Sequence, residues 1–123
     1  MRLVLILLAA PLLMAQGNLP RPQCGFGEGL SRLRGAERDA GRPVAGLVDG
    51  RAQAEGVMGD LEAAAATFRA CGCPRLAEMT AEAATVAGAA TAEASAQRIQ
   101  QVLGQTQSRA RLARQVFESG GCR

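Results

Sequence analysis

Four cysteines, Cys24, Cys71, Cys73 and Cys122, are the side chains of this 123-residue sequence best equipped for chemistry. Most other reactive groups are missing. There is no His, Lys, Tyr or Trp, so all 14 basic residues are Arg. Without His, neither a Ser-His-Asp or Cys-His nucleophile pair nor a His-ligated metal site can be built. Without Lys there is no phosphate loop of the Gly-Lys-Ser/Thr type and no Schiff base. Three Phe are too few for a base-stacking platform, so nucleic acid is not expected as a partner. Ser31, Ser95, Ser108 and Ser119 have no base to activate them. Glu62 and Glu78 read as solvated helix residues, and no carboxylate pair suggests glycoside chemistry. The expectation is a protein with no catalytic residues, no cofactor and no resident metal.

An even number of cysteines in a small chain reads as disulfides if the chain reaches an oxidising compartment. The N-terminus supports that destination. Met1 and Arg2 precede an apolar run from Leu3 to Ala15, broken only by Pro11. The run is too short to cross about 30 Å of hydrocarbon as a helix. It reads as a secretion signal over residues 1–17, cut after Ala15-Gln16-Gly17, with a cut after Ala15 or an uncleaved amphiphilic anchor as the alternatives. The expected location is outside the cytoplasm: the periplasm or the extracellular space if the host is bacterial. Residues 18–25 form a short lead.

The cysteine spacing suggests an architecture. Cys24 to Cys71 is 47 steps and Cys73 to Cys122 is 49. Two nearly equal arms flank Cys71-Gly72-Cys73. In the first arm, 26–70, apolar positions recur on steps of four and three: Phe26, Leu30, Leu33, Ala40, Val44, Leu47, Ala54, Met58, Leu61, Ala65 and Phe68. Glu37 and Arg51 alone break this heptad stripe. Gly41-Arg42-Pro43 reads locally as a helix stop and restart, yet the phase survives it. A break or kink is therefore expected there, with the second piece leaving on nearly the same axis. Gly46, Gly50, Gly56 and Gly59 weaken this arm by about 1 kcal/mol each relative to Ala. Gly46 and Gly50 together mark either a close helix contact or compositional drift. The second arm, 75–118, follows a turn at 71–74, with Pro74 suited to the first helical position. Its stripe is carried by Ala between Ala81 and Ala96, and its phase slips near Gln97 like a stutter. Residues 119–123 form a tail.

The expected fold is all-α: a long antiparallel helical hairpin, coiled-coil-like, with its first arm broken or kinked near Gly41–Pro43. In that shape Cys24 and Cys122 meet at the open end and pair, while Cys71 and Cys73 occupy the far tip. Pairing Cys24 with Cys71 would need the first arm to fold back at 41–43. A piece from 27 to 40 covers only about 20 Å, half the length of the piece from 43 to 70. A hairpin of this length has a thin core, which self-association into a homodimer would supplement.

At the tip, a Cys71–Cys73 disulfide closes a small, strained, easily reduced ring. Cys73 also precedes a helix N-terminus, which favours the thiolate. The pair is thus either a redox-active or soft-metal tip, for example for Cu(I), or a structural staple of the turn. The staple is preferred, because two thiolates with no Met or His beside them make a poor ligand set. Charge is polarised along the hairpin. Residues 55–93 carry a balance of −4 and residues 98–123 a balance of +4. Helix-dipole compensation accounts for most of this. The remainder makes Arg109, Arg111 and Arg114 a candidate interaction surface for an acidic partner or anionic lipid heads. The function expected is protein–protein interaction in the cell envelope, as an adaptor, holding chaperone or assembly subunit. The alternative is thiol–disulfide exchange through Cys71 and Cys73.

Overall fold

A computed structural model of the chain describes residues 24–122. The expected signal segment, residues 1–17, and most of the expected lead lie outside the described residues, as does Arg123. The fold is all-helical: α1 (Phe26–Ala40), α2 (Leu47–Ala70), α3 (Pro74–Ala90) and α4 (Ala96–Gly120), with no strand among the described residues. Pro74 takes the first position of α3 with Cys73 as its N-cap residue. Ser95 caps α4, its hydroxyl accepting a hydrogen bond from the Arg98 backbone N–H at 3.2 Å.

Each expected arm is folded in two. α1 packs against α2, α2 against α3, α3 against α4, and α4 returns to α1. The break near Gly41 is a true reversal, not a kink, and the phase slip near Gln97 corresponds to a second reversal at Thr91–Ser95. A heptad phase records which face of a helix is apolar, not whether two helices share an axis. The stripe therefore continued through a loop that reverses the chain. Both halves still bury it: Leu33, Ala40, Ala54, Leu61, Ala65 and Phe68 are all core residues.

The length mismatch that argued against folding at 41–43 is absorbed by the loop. Helix does not resume at Pro43 but at Leu47, so residues 41–46 are free to run on beyond the end of α1. Six residues in extended form reach up to about 20 Å, more than the difference between the two helices. The first turns of α2 therefore overshoot α1. Gln53 marks the level where α1 ends: its side-chain amide donates to the carbonyls of Asp39 at 2.7 Å and Arg42 at 3.1 Å. Asp39 is in the last turn of α1 and Arg42 just beyond it, so the amide ties α2 to the end of α1.

The core has two layers. One surrounds Leu33, Leu61, Phe68 and Leu76 and extends to the cysteines. The other lies by the two loops and joins Ala54, Ala90, Ile99, Val102 and Leu103, with Val44 and Leu47 against it. α3 contributes mostly Ala to this interior: Ala77, Ala83, Ala84, Ala87 and Ala90. Small residues let neighbouring helices approach closely. Gly29 does the same where α1 crosses α2, since a methyl there would sit 2.9 Å from Phe68 Cε1. Of Gly46 and Gly50, only Gly50 makes a close contact; a methyl on it would lie 2.6 Å from Val44 Cγ1.

Both outcomes are measurable by thermal denaturation followed by circular dichroism. Gly59 is exposed within α2 and a methyl there meets nothing, so Gly59→Ala raises stability by about 1 kcal/mol, or about 4–8 °C in Tm. Gly29→Ala lowers Tm despite the same gain in helix propensity.

Candidate functional site

The cysteines are paired differently from the sequence expectation. Cys24 bonds to Cys71 and Cys73 to Cys122, with Cα–Cα separations of 5.2 and 4.5 Å. Cys24–Cys122 and Cys71–Cys73 are thus both corrected, and the reason is the double fold-back. It brings the start of α1, the end of α2, the start of α3 and the end of α4 to one pole of the bundle. The small strained ring expected at Cys71-Gly72-Cys73 does not form, which removes the motive for assigning it an easily reduced site. Cys71 and Cys73 are buried, and all four sulfurs are consumed in bonds that tie helix ends together. Disulfides of this kind persist in oxidising compartments. Among the described residues no helix is long and apolar enough to cross a membrane.

Gly72 makes this pairing reachable. Its φ of 78° lies in the left-handed region, which Gly enters at no steric cost. The turn closes with the Cys73 N–H donating to the Phe68 carbonyl at 2.9 Å. Behind the disulfides, all three aromatic rings of the chain meet. Phe26 stacks at a tilt on Phe68 and Phe117, with centroids 5.4 and 5.0 Å apart. Their sequence positions, each a few residues from a cysteine, carried this signal once the pairing was known.

The expected charge polarity along a rod also disappears, because the central turn and the two outer cysteines lie at the same pole. Arg2, Arg21 and Arg123 fall outside the described residues; the other 11 arginines balance 11 acids. The three candidate arginines separate into different roles. Arg111 and Arg114 are structural. Arg114 grips the Glu37 carboxylate with two hydrogen bonds, Nε to Oε2 at 2.8 Å and Nη2 to Oε1 at 3.1 Å. Arg111 Nε donates to the same carboxylate at 3.2 Å, and Arg114 reaches on to Glu118 at 3.0 Å. Glu37, the first break in the apolar stripe, is therefore the acid that fastens α1 to α4; its side chain is only 13% exposed. Arg51, the second break, donates to the Glu93 carbonyl at 3.0 Å and so holds the second reversal. Arg109 is exposed and lies beside Gln105, Ser108 and Leu112, around a shallow hollow of about 470 Å³.

The Arg114 hydrogen bonds hold the Glu37 carboxyl below its ordinary value of 4.5; partial burial opposes this and Arg111 reinforces it. A depressed acid stabilises the fold fully above its unfolded value and loses that contribution as pH falls through the folded one.

The outer face of α4 is the remaining surface of note. From Ile99 to Ser108 the helix carries no charge. Its exposed positions there are Gln100, Gln101, Gly104, Gln105 and Ser108, followed by Leu112 at 52% exposure. A second shallow hollow of about 430 Å³ lies at the start of this face, lined by Val44, Ala96, Gln97, Gln100 and Gln101. Comparisons with protein-family models, with curated proteins and with solved structures returned no match.

Non-reducing peptide mapping of the oxidised protein is expected to recover 24–71 and 73–122 links. Removing either link with a paired Cys→Ser substitution costs about 2–4 kcal/mol. Glu37→Gln costs about 1 kcal/mol at neutral pH. It also flattens the stability loss seen below pH 4.5 in the parent, measured by urea titration across pH.

Proposed function

We propose that this is an exported interaction protein of the cell envelope, a disulfide-locked bundle that presents the outer face of α4 to a protein partner. The carrying observation is the face itself: an exposed helix surface that is charge-free over ten residues, with one shallow hollow at its start and another at its end, the latter lined by the half-exposed Leu112. Exposed helical surfaces of soluble proteins are normally studded with charge, which keeps them solvated and unpaired. Amide side chains and small residues desolvate at lower cost than charges, and amides can both donate and accept across an interface. The rigid bundle behind the face spares a partner the ordering cost of binding a mobile segment. Export rests on the N-terminal apolar segment and on the two disulfides. An adaptor or assembly subunit fits this description better than a holding chaperone, because the interior apolar surface is closed.

Thiol–disulfide exchange has less support, since Cys71 and Cys73 are buried in separate interhelical bonds. The basic-surface reading also narrows, because Arg111 and Arg114 are engaged by Glu37.

Photo-crosslinking residues placed at Gln101 and Leu112 are expected to capture one common partner in envelope extract, while placements at Glu62 and Glu78 do not. Leu112→Arg should cut that capture about tenfold with no change in helix content. Equal capture from all four positions would remove α4 as the docking face.

A further inference from the structure

The two disulfides divide the described chain into two closed loops, residues 24–71 and 73–122, with Gly72 the single residue between them. Each loop is one helical hairpin: α1 with α2, and α3 with α4. Neither disulfide crosses from one hairpin to the other. The joint between them is noncovalent everywhere except at Gly72. It consists of the packed α2–α3 and α1–α4 seams, the Phe26–Phe117 contact, and the Glu37 cluster with Arg111 and Arg114. At the loop end it adds the Arg51 hydrogen bond to Glu93 and a hydrogen bond from the Val44 N–H to Gln100 Oε1 at 3.1 Å.

We propose that a second copy of this chain is a partner, and that the two copies exchange hairpins. The 73–122 hairpin of one copy takes its place on the 24–71 hairpin of the other, and Gly72 opens to let them part. Three observations support this. Every contact between hairpins is re-formed across the exchanged dimer, with Glu37 of one copy meeting Arg111 and Arg114 of the other. No disulfide has to break or reshuffle, because both lie within the exchanged units. The hinge is one residue long, and in the closed form it takes a left-handed conformation, φ 78°, which glycine tolerates and most other residues do not. Short hinges that force a tight conformation favour exchange over closure. Charge does not oppose it, since the described residues carry as many arginines as acids. The exchange does not use the outer face of α4, so it stands or falls separately from the docking proposal.

The test uses the oxidised full-length mature chain, unfolded in guanidinium without reductant and refolded at micromolar and at millimolar concentration. Light scattering coupled to size exclusion is expected to show at least a tenfold rise in dimer fraction at the higher concentration. A non-reducing gel should still show single chains, and peptide mapping should show the same two links. Gly72→Ala, which penalises the left-handed hinge, should raise the dimer fraction further, while Gly72→Asn, which tolerates it, should resemble the parent. Preformed dimers mixed with isotope-labelled dimers should exchange subunits only after unfolding. A parent chain that stays monomeric on concentrated refolding overturns the proposal whatever the variants do. So does rapid subunit exchange under native conditions, which would indicate side-by-side association, or a dimer joined by interchain disulfides.

Discussion

The structure depends on a crosslinked pole. Two disulfides flank one glycine and pin four helix ends within a few residues of each other. The chain has few large apolar side chains, and one of the four helices among the described residues is lined chiefly with alanine. Burial alone stabilises such a bundle modestly, because each alanine removes little area from water. Crosslinks that each close a loop of almost fifty residues work on the other side of the balance. In the chain-entropy model they restrict the unfolded ensemble by about 4 kcal/mol apiece. The helices then need only settle against neighbours that are already close.

The packing follows from that economy. Alanines on α3 and the glycines at positions 29 and 50 permit close helix approach where larger side chains would hold the backbones apart. The bulkiest residues are concentrated where the crosslinks are, in the trio of Phe26, Phe68 and Phe117. Farther along α1, a carboxylate replaces an apolar contact. Glu37 stands at a stripe position and is matched by two arginines from α4, so the seam between the first and last helices is closed by charge-assisted hydrogen bonds.

Helix type and core faces were legible in the sequence because they depend on local periodicity. Leu33, Leu61 and Phe68 occupy positions that spacing alone assigns to the interior. Pro74 and Cys73 begin α3 where their chemistry says they should. Topology was not legible to the same degree. The stripe runs in phase through Gly41-Arg42-Pro43 although the chain reverses there, since residues 41–46 happen to complete a heptad count. The alanine tract hid the second reversal, because nothing in Thr91–Ser95 interrupts a pattern of small residues strongly enough. An unbroken rod would place Cys24 beside Cys122, and it is the two reversals that bring Cys24 to Cys71 and Cys73 to Cys122 instead. The site residues divide along the same line. Arg111 and Arg114 were recognisable as a cluster, but their engagement by Glu37, 74 and 77 residues away, is a tertiary fact. Glu37 and Arg51 were visible as interruptions of the stripe, and such interruptions mark polar ties between helices as well as imperfect cores.

Placing every covalent tie at one pole gives the molecule a gradient of cohesion. Near Cys71 and Cys73 a disulfide holds the helix ends of each hairpin together, whereas the two reversals at the opposite pole are held by noncovalent contacts alone: the core layer around Ile99, the Gln53 amide on two carbonyls, the Val44 N–H on Gln100 and Arg51 on the Glu93 carbonyl. Fluctuations therefore begin at the reversals and die out toward the crosslinks, as in a zipper fastened at its base. Amide protons of the first turns of α2 and α4 lie at the fast end of that gradient and those beside the phenylalanine trio at the slow end.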